Sequence, residues 1–161
     1  MIDVLVCQFQ RTASATVYAA GQIIGTAGGN YINFNNASSR GGGGGYLISA
    51  HLIKGSLRET GASFRLWLYS EPPLVAAAAD YANFDTQAFT NNGENLLLGY
   101  VDFVCNTVGQ GTSQKALHFV NNINMAYKTG NRSIYGVLVC TAAYVPEVSE
   151  LITLKLLVDQ F

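Results

Sequence analysis

Charge is what this chain has least of. Only 12% of its 161 residues are Asp, Glu, Lys or Arg, against about 25% in an average soluble protein. Nine basic and ten acidic residues nearly cancel, and no Lys/Arg cluster supplies the basic footprint that a phosphate backbone requires. The expectation is therefore no nucleic-acid partner. Histidine is scarcer still: His51 and His118 are the only two, so a histidine-built metal site would need carboxylates or a second chain to complete it. His118 and Asn122 stand at the His-x-x-x-Asn spacing of the second cupin motif, but the chain has no His-x-His, and no metal or cofactor is expected. Three widely spaced cysteines, Cys7, Cys105 and Cys140, exclude a complete disulfide framework and read as buried free thiols. No apolar run approaches the roughly 18 residues of a membrane-spanning helix. Met1-Ile2-Asp3-Val4 opens no signal-peptide pattern, so synthesis in a cytoplasm and no membrane partner are expected.

Catalytic signatures are missing as well. No Gly-x-Ser-x-Gly elbow occurs. The glycine run is followed by Tyr46 and strand-like sequence, where a phosphate loop needs Lys-Ser/Thr and a helix. Asp80, Asn83 and Asp85 lack the alternate acids, glycine and final glutamate of a calcium loop. Glu59, Glu71, Asp102 and Glu150 show no spacing that would pair them for acid/base work. The chain reads as a non-enzyme.

What it does have is short strands. Arg40 followed by Gly41 to Gly45 leads into Tyr46 to Lys54, a loop that can bend sharply or admit a close backbone, backed by a strand. Tyr46, Ile48, Ala50 and Leu52 alternate with Leu47, Ser49, His51 and Ile53, and Phe64 to Tyr69 is expected to return beside it as a hairpin. Both faces of this pair are apolar enough that one packs a core and the other needs cover. An insertion at approximately 72–98, opened by Pro72-Pro73 and containing Leu74 to Asn95, is expected to give a helical turn or two over the sheet. Further strands are predicted at Val4 to Arg11, Gln22 to Gly25, Tyr31 to Phe34, Leu96 to Val104, Leu117 to Asn121, Ile134 to Cys140 and Ile152 to Val158. About eight such segments with turn signals between them make an all-β chain, an antiparallel β-sandwich forming one domain over residues 1–161.

The order of several segments carries a resemblance. These are Ser38-Ser39-Arg40 with the glycines, Ser49-Ala50-His51-Leu52-Ile53, Leu66-Trp67-Leu68-Tyr69-Ser70-Glu71-Pro72 and the insertion with Asp80, Ala82 and Phe84. Leu98-Gly99-Tyr100-Val101-Asp102-Phe103, Ala143-Tyr144-Val145-Pro146 and Ile152-Thr153-Leu154-Lys155-Leu156 complete the set. Together they resemble the jelly-roll decoration, or cement, proteins on the heads of tailed bacteriophages. The resemblance implies a viral structural protein made in the host cytoplasm that binds the outer surface of the capsid. It implies major capsid protein as partner, a dimer or trimer of the chain itself, and no catalysis. The candidate interaction surface is Arg40, Gly41, Gly43, Gly45, Trp67 and Tyr69. A different reading makes the chain a tail or fibre module that recognises a host glycan through Trp67, Tyr69 and the Asn-rich loops.

Overall fold

The computed structural model describes residues 1–11, 14–26, 31–57, 61–73, 79–84, 96–108 and 115–161. Ten strands are present among them: β1 Ile2–Gln10, β2 Ile32–Phe34, β3 Gly44–Lys54, β4 Ser63–Tyr69 and β5 Leu97–Val104, then β6 Thr107–Val108, β7 Ala116–Val120, β8 Met125–Lys128, β9 Ile134–Cys140 and β10 Leu151–Gln160. They form a larger sheet in the order β1-β10-β3-β7-β6, with β8 also on β3, and a smaller sheet in the order β2-β9-β4-β5. Every pairing is antiparallel. Apart from the β4–β5 hairpin and the β6-β7-β8 run, each connection crosses from one sheet to the other, which is the winding of a jelly roll.

The period-two pattern of each strand explains why the sheets stack. In β10, Ile152, Leu154, Leu156 and Val158 are buried while Thr153, Lys155 and Asp159 point away. In β1, Leu5, Cys7 and Phe9 turn toward the same interior. Facing them from the smaller sheet are Phe34, Phe64, Leu66, Leu68, Val101 and Phe103. β9 is buried along its whole length, because its outward residues Tyr135, Val137 and Val139 lie under a second apolar cluster with Ile23 and Tyr69.

Three expectations need correction. β4 does not return beside β3: β3 pairs β10, β7 and β8, while β4 pairs β5 and β9 in the opposite sheet. The apolar inner faces of the two strands are better satisfied by packing across the core than by lying side by side. The alternation within β3 also shifts, since a bulge opposite Leu157/Val158 turns Leu47 into the core and leaves Tyr46 exposed. Finally, Gln22 and Ile23 form single bridges to Asn83 and Val139 and not a full strand. The expected helical turn falls outside the described residues for 74–78 and 85–95; the described part, 79–84, is a turn held down on 21–23 by backbone bonds from Ile23 to Ala82, Tyr81 to Ile23 and Phe84 to Gly21, 2.8–3.0 Å long.

Candidate functional site: the glycine-loop end and the sheet faces

At one end of the sandwich the chain from Ala37 to Gly45 folds back on Tyr127 to Arg132. The Ser38 hydroxyl donates to the Arg40 carbonyl at 2.7 Å and lies 3.0 Å from the Thr129 hydroxyl. The Thr129 amide donates to the Gly43 carbonyl at 2.9 Å, and the Gly42 amide to that of Gly130 at 3.2 Å. The Tyr127 hydroxyl donates to the Ala37 carbonyl, and Gln160 Nε2 to the Asn36 carbonyl at 2.8 Å. Gly43, Gly44 and Gly45 are buried in this knot, whereas Arg40, Gly41 and Gly42 are exposed. Gly42 takes φ +71°, the left-handed turn for which glycine is suited.

Beside the loop is an open cleft of about 630 Å³ lined by Gly42, Ser70, Leu98, Tyr127, Lys128 and Gly130. A neighbouring hollow of about 270 Å³ adds Arg40, Gly43, Gly44 and Phe161 and shares Gly42, Tyr127 and Lys128 with the first. The lining offers backbone carbonyls and amides, an ammonium and a guanidinium. Leu98, Tyr127 and Phe161 make the lining more apolar than polar.

Trp67 lies elsewhere, on the outer face of the smaller sheet. It stacks on Phe84 of the covering segment at 5.1 Å between ring centroids and meets Tyr100 at 5.1 Å. Arg65 forms a two-pronged ion pair with Asp102 at 2.7 and 2.8 Å and lies 3.9 Å over the Tyr100 ring. The flat faces that could stack a sugar are thus partly taken by Phe84 and Arg65. Tyr69 is buried under the cover with Ile23, Tyr135 and Val137. Burial holds its phenol well above the usual tyrosine range.

Several of the groups able to do acid/base work are turned inward or tied up. At the end opposite the glycine loop, Lys54 Nζ pairs with Glu150 Oε1 at 3.2 Å, with side chains 0% and 1% exposed. Ser56 donates to the same oxygen at 2.6 Å, and the Tyr144 hydroxyl donates to Glu150 Oε2. Burial, then the charge and hydrogen bond of Glu150, raise the Tyr144 phenol strongly. Burial pushes the nearby Cys105 thiol up to about 12. A ring stack between Tyr144 and Tyr18, 6.0 Å apart, links this cluster to a second one. There Arg11 Nε donates to the Tyr18 hydroxyl at 2.8 Å, and that hydroxyl donates to Asp80 at 2.6 Å. Asp80 also accepts the Gly25 amide at 2.9 Å, so it serves as a turn anchor.

His118 Nδ1 accepts the Val104 amide at 2.7 Å, and His51 sits on a strand face with its ring edge-on to Phe119. Among the described residues no group of three His, Cys, Asp or Glu is placed to hold a metal. Of the four acids weighed for acid/base work, Glu59 lies outside the described residues and the other three stay apart: Glu71 at the glycine-loop end, Asp102 on the outer face, Glu150 in the core. Cys105 and Cys140 are buried and Cys7 partly so, all three as free thiols.

Sequence reasoning placed the exposed loop residues Arg40 and Gly41 in one stretch, and the fold joins Arg40 to Lys128 and Phe161 around one hollow, which it had missed. The missing signal was β8, four residues whose alternation is too short to read alone.

No family model matches the chain, and no curated protein matches it. Among solved structures it is similar to a chain of the capsid of Ralstonia phage GP4, at 17% identity over 99% of this chain and 85% of that one, with a TM-score of 0.42. It is also similar to a chain of a virus-like particle of the giant freshwater prawn Macrobrachium rosenbergii nodavirus, at 10% identity over 98% and 93% of the two chains, TM-score 0.34. A third similarity is to deformed wing virus, a honeybee pathogen, at 10% identity over 100% and 48%, TM-score 0.35. No residue role is carried over from any of the three.

Proposed function

We propose that this chain is a non-enzymatic virion structural protein, a decoration or cement protein that binds the outer surface of a bacteriophage capsid and bridges adjacent major capsid proteins. The observation that carries this reading is the division of its polar chemistry. Lys54, Glu150, Arg11 and Asp80 are spent on holding the interior together, while the exposed charges are scattered and large apolar side chains lie open among them. Phe161, which lines the hollow beside the glycine loop, is open to solvent, and a surface of this kind suits burial against other protein, because neutral groups cost less to desolvate than charges. The sequence resemblance described above points the same way. The exposed loop residues Arg40, Gly41 and Gly42, with Lys128 beside them, are the first candidates for the shell contact.

Cryo-electron microscopy of virions that carry the chain tests this. The expected result is density for the chain bridging capsomers on the outside of the head. Density confined to the tail would overturn it and favour the glycan-binding module, for which Trp67→Ala would be the first variant.

A further inference from the structure

The two sheets treat their outer faces differently. The smaller one carries its own cover, Ile23 with Ala82 and Phe84. The larger one carries no such apolar cluster on its outer face among the described residues, although Ser49 in its middle is buried, and its register defines the pattern it presents. Across the sheet, Val6 pairs Lys155, Lys155 pairs His51, and His51 pairs Phe119. The next outward row is Val4, Leu157 and Ser49, and the one after it Ile2, Asp159 and Tyr46. Ile2 is 66% exposed, Val4 52%, Val6 56%, Tyr46 46% and Phe119 48%. The three rows are therefore largely apolar, with Lys155 on one side of Leu157 and, on the other, Asp159 beside the Met1 ammonium.

We propose that a second copy of this chain packs on this face about a two-fold axis. The axis passes over Leu157, at right angles to β10 and parallel to the sheet. Such an axis sends each row to the row equally far on the other side of Leu157. Lys155 of one copy then meets Asp159 of the other, and the same pair forms again by symmetry. Val6 meets Ile2, Val4 meets Val4, and His51 meets Tyr46. Turning the axis parallel to β10 would set Lys155 against Lys155 and Asp159 against Asp159, so the charges select the antiparallel arrangement.

The Lys155 side chain makes no ion pair or hydrogen bond among the described residues. Asp159 accepts the Met1 amine at 3.0 Å while its side chain stays 48% exposed, and a carboxylate has sites for a second donor. The size also fits. Four strands about 4.8 Å apart and about nine residues long at about 3.4 Å each give a footprint near 600 Å² before side-chain relief is counted, close to the roughly 800 Å² per partner of a standard interface.

The surface is distinct from the glycine-loop end, and the dimer is expected in solution without any shell, so shell binding and dimerisation stand or fall separately. Sedimentation velocity of the purified full chain, from about 1 to 100 μM, is the test. The wild-type chain is expected to dimerise. Lys155→Glu and Asp159→Lys are each expected to weaken dimerisation at least tenfold, since each sets like charges together, and the double exchange is expected to restore it. Val6→Glu, which leaves both charges in place, is expected to weaken it as well; circular dichroism of each variant establishes that it is folded. A wild-type monomer at about 100 μM overturns the proposal, including one whose face becomes protected only on shells, which would assign the face to the capsid protein. A dimer unchanged by Lys155→Glu, or one that the double exchange does not restore, overturns it too.

Discussion

A methyl group at Gly45 would lie 2.2 Å from the Asp159 carbonyl oxygen, and one at Gly44 2.3 Å from that of Tyr127. Both neighbours are backbone of paired strands and cannot step aside. Gly45→Ala is expected to destabilise the fold by about 1–3 kcal/mol, as overpacking does. Gly41→Ala, with only the Gly130 oxygen 3.7 Å away, is expected to stay within about 0.5 kcal/mol of wild type; urea denaturation compares the two. The same logic governs Lys54. Removing its charge in Lys54→Met strands the buried Glu150 carboxylate and is expected to cost about 3–5 kcal/mol, while adding Glu150→Leu recovers most of that. Recovery in the double variant separates an uncompensated charge from a packing defect. Buried acids also set an alkaline limit. The Cys105 thiol is raised from 9.0 to about 12 and the Tyr127 phenol from 10.0 to about 12, both chiefly by burial. A folded pKa above the unfolded one means that the unfolded chain loses its proton first, so stability is full below about pH 9 and falls as pH rises toward 12. Thermal midpoints measured from pH 7 to 11 should decline from pH 9–10 onward; a flat profile would show that these groups titrate alike in both states.

Strands with clean alternation were legible in the sequence. β10 shows its buried Ile152, Leu154, Leu156 and Val158 because one side faces the core and the other faces water. β9 was equally readable as a strand, although both its sides are covered. Strand partnership was not legible: β3 and β4 are neighbours in sequence and lie in opposite sheets, since local pattern fixes which side of a strand is apolar and not which strand lies beside it. The bulge opposite Leu157/Val158 was hidden for the same reason. Of the candidate residues, the exposed loop position of Arg40 and Gly41 was legible because glycine runs announce loops. The buried Lys54–Glu150 pair went unread, for its partners are 96 residues apart and each looks like an ordinary surface charge. The need to cover the second apolar face of β4 was foreseen, and segment 79–84 meets it. Trp67 is the only tryptophan and stacks on Phe84. Phe84→Ala is therefore expected to shift tryptophan emission to the red and to cost about 1 kcal/mol, the worth of such a ring pair beyond its buried area. Unchanged emission would mean that Trp67 gets its shelter from another element.

At the scale of the whole molecule, the scarcity of charge bears on how the protein is held where it works. Nine basic and ten acidic residues leave a net charge of −1. Of the three described ion pairs, Arg65–Asp102 and Met1–Asp159 satisfy themselves on the surface and Lys54–Glu150 is sealed in the core, and the near-zero net charge leaves little field to steer the chain over long distances. In the proposed capsid role, attachment would rest on apolar and neutral polar contact repeated over many copies, with symmetry supplying the effective concentration that one weak contact lacks. Such contacts are not screened by ions, unlike exposed charge pairs separated by more than the few ångströms left at about 1 M salt. Co-sedimentation of the purified chain with emptied capsids is accordingly expected to change less than about threefold between about 0.05 and 0.5 M sodium chloride, since one exposed ion pair is worth at most about 1 kcal/mol. Charge reversal at Arg40, by Arg40→Glu, should weaken binding modestly at low salt, with the difference closing as salt rises. A loss of binding of a hundredfold or more over that salt range would instead place Arg40, Lys128 and Arg132 at the centre of the contact, and would mean that the capsid presents them with an acidic surface.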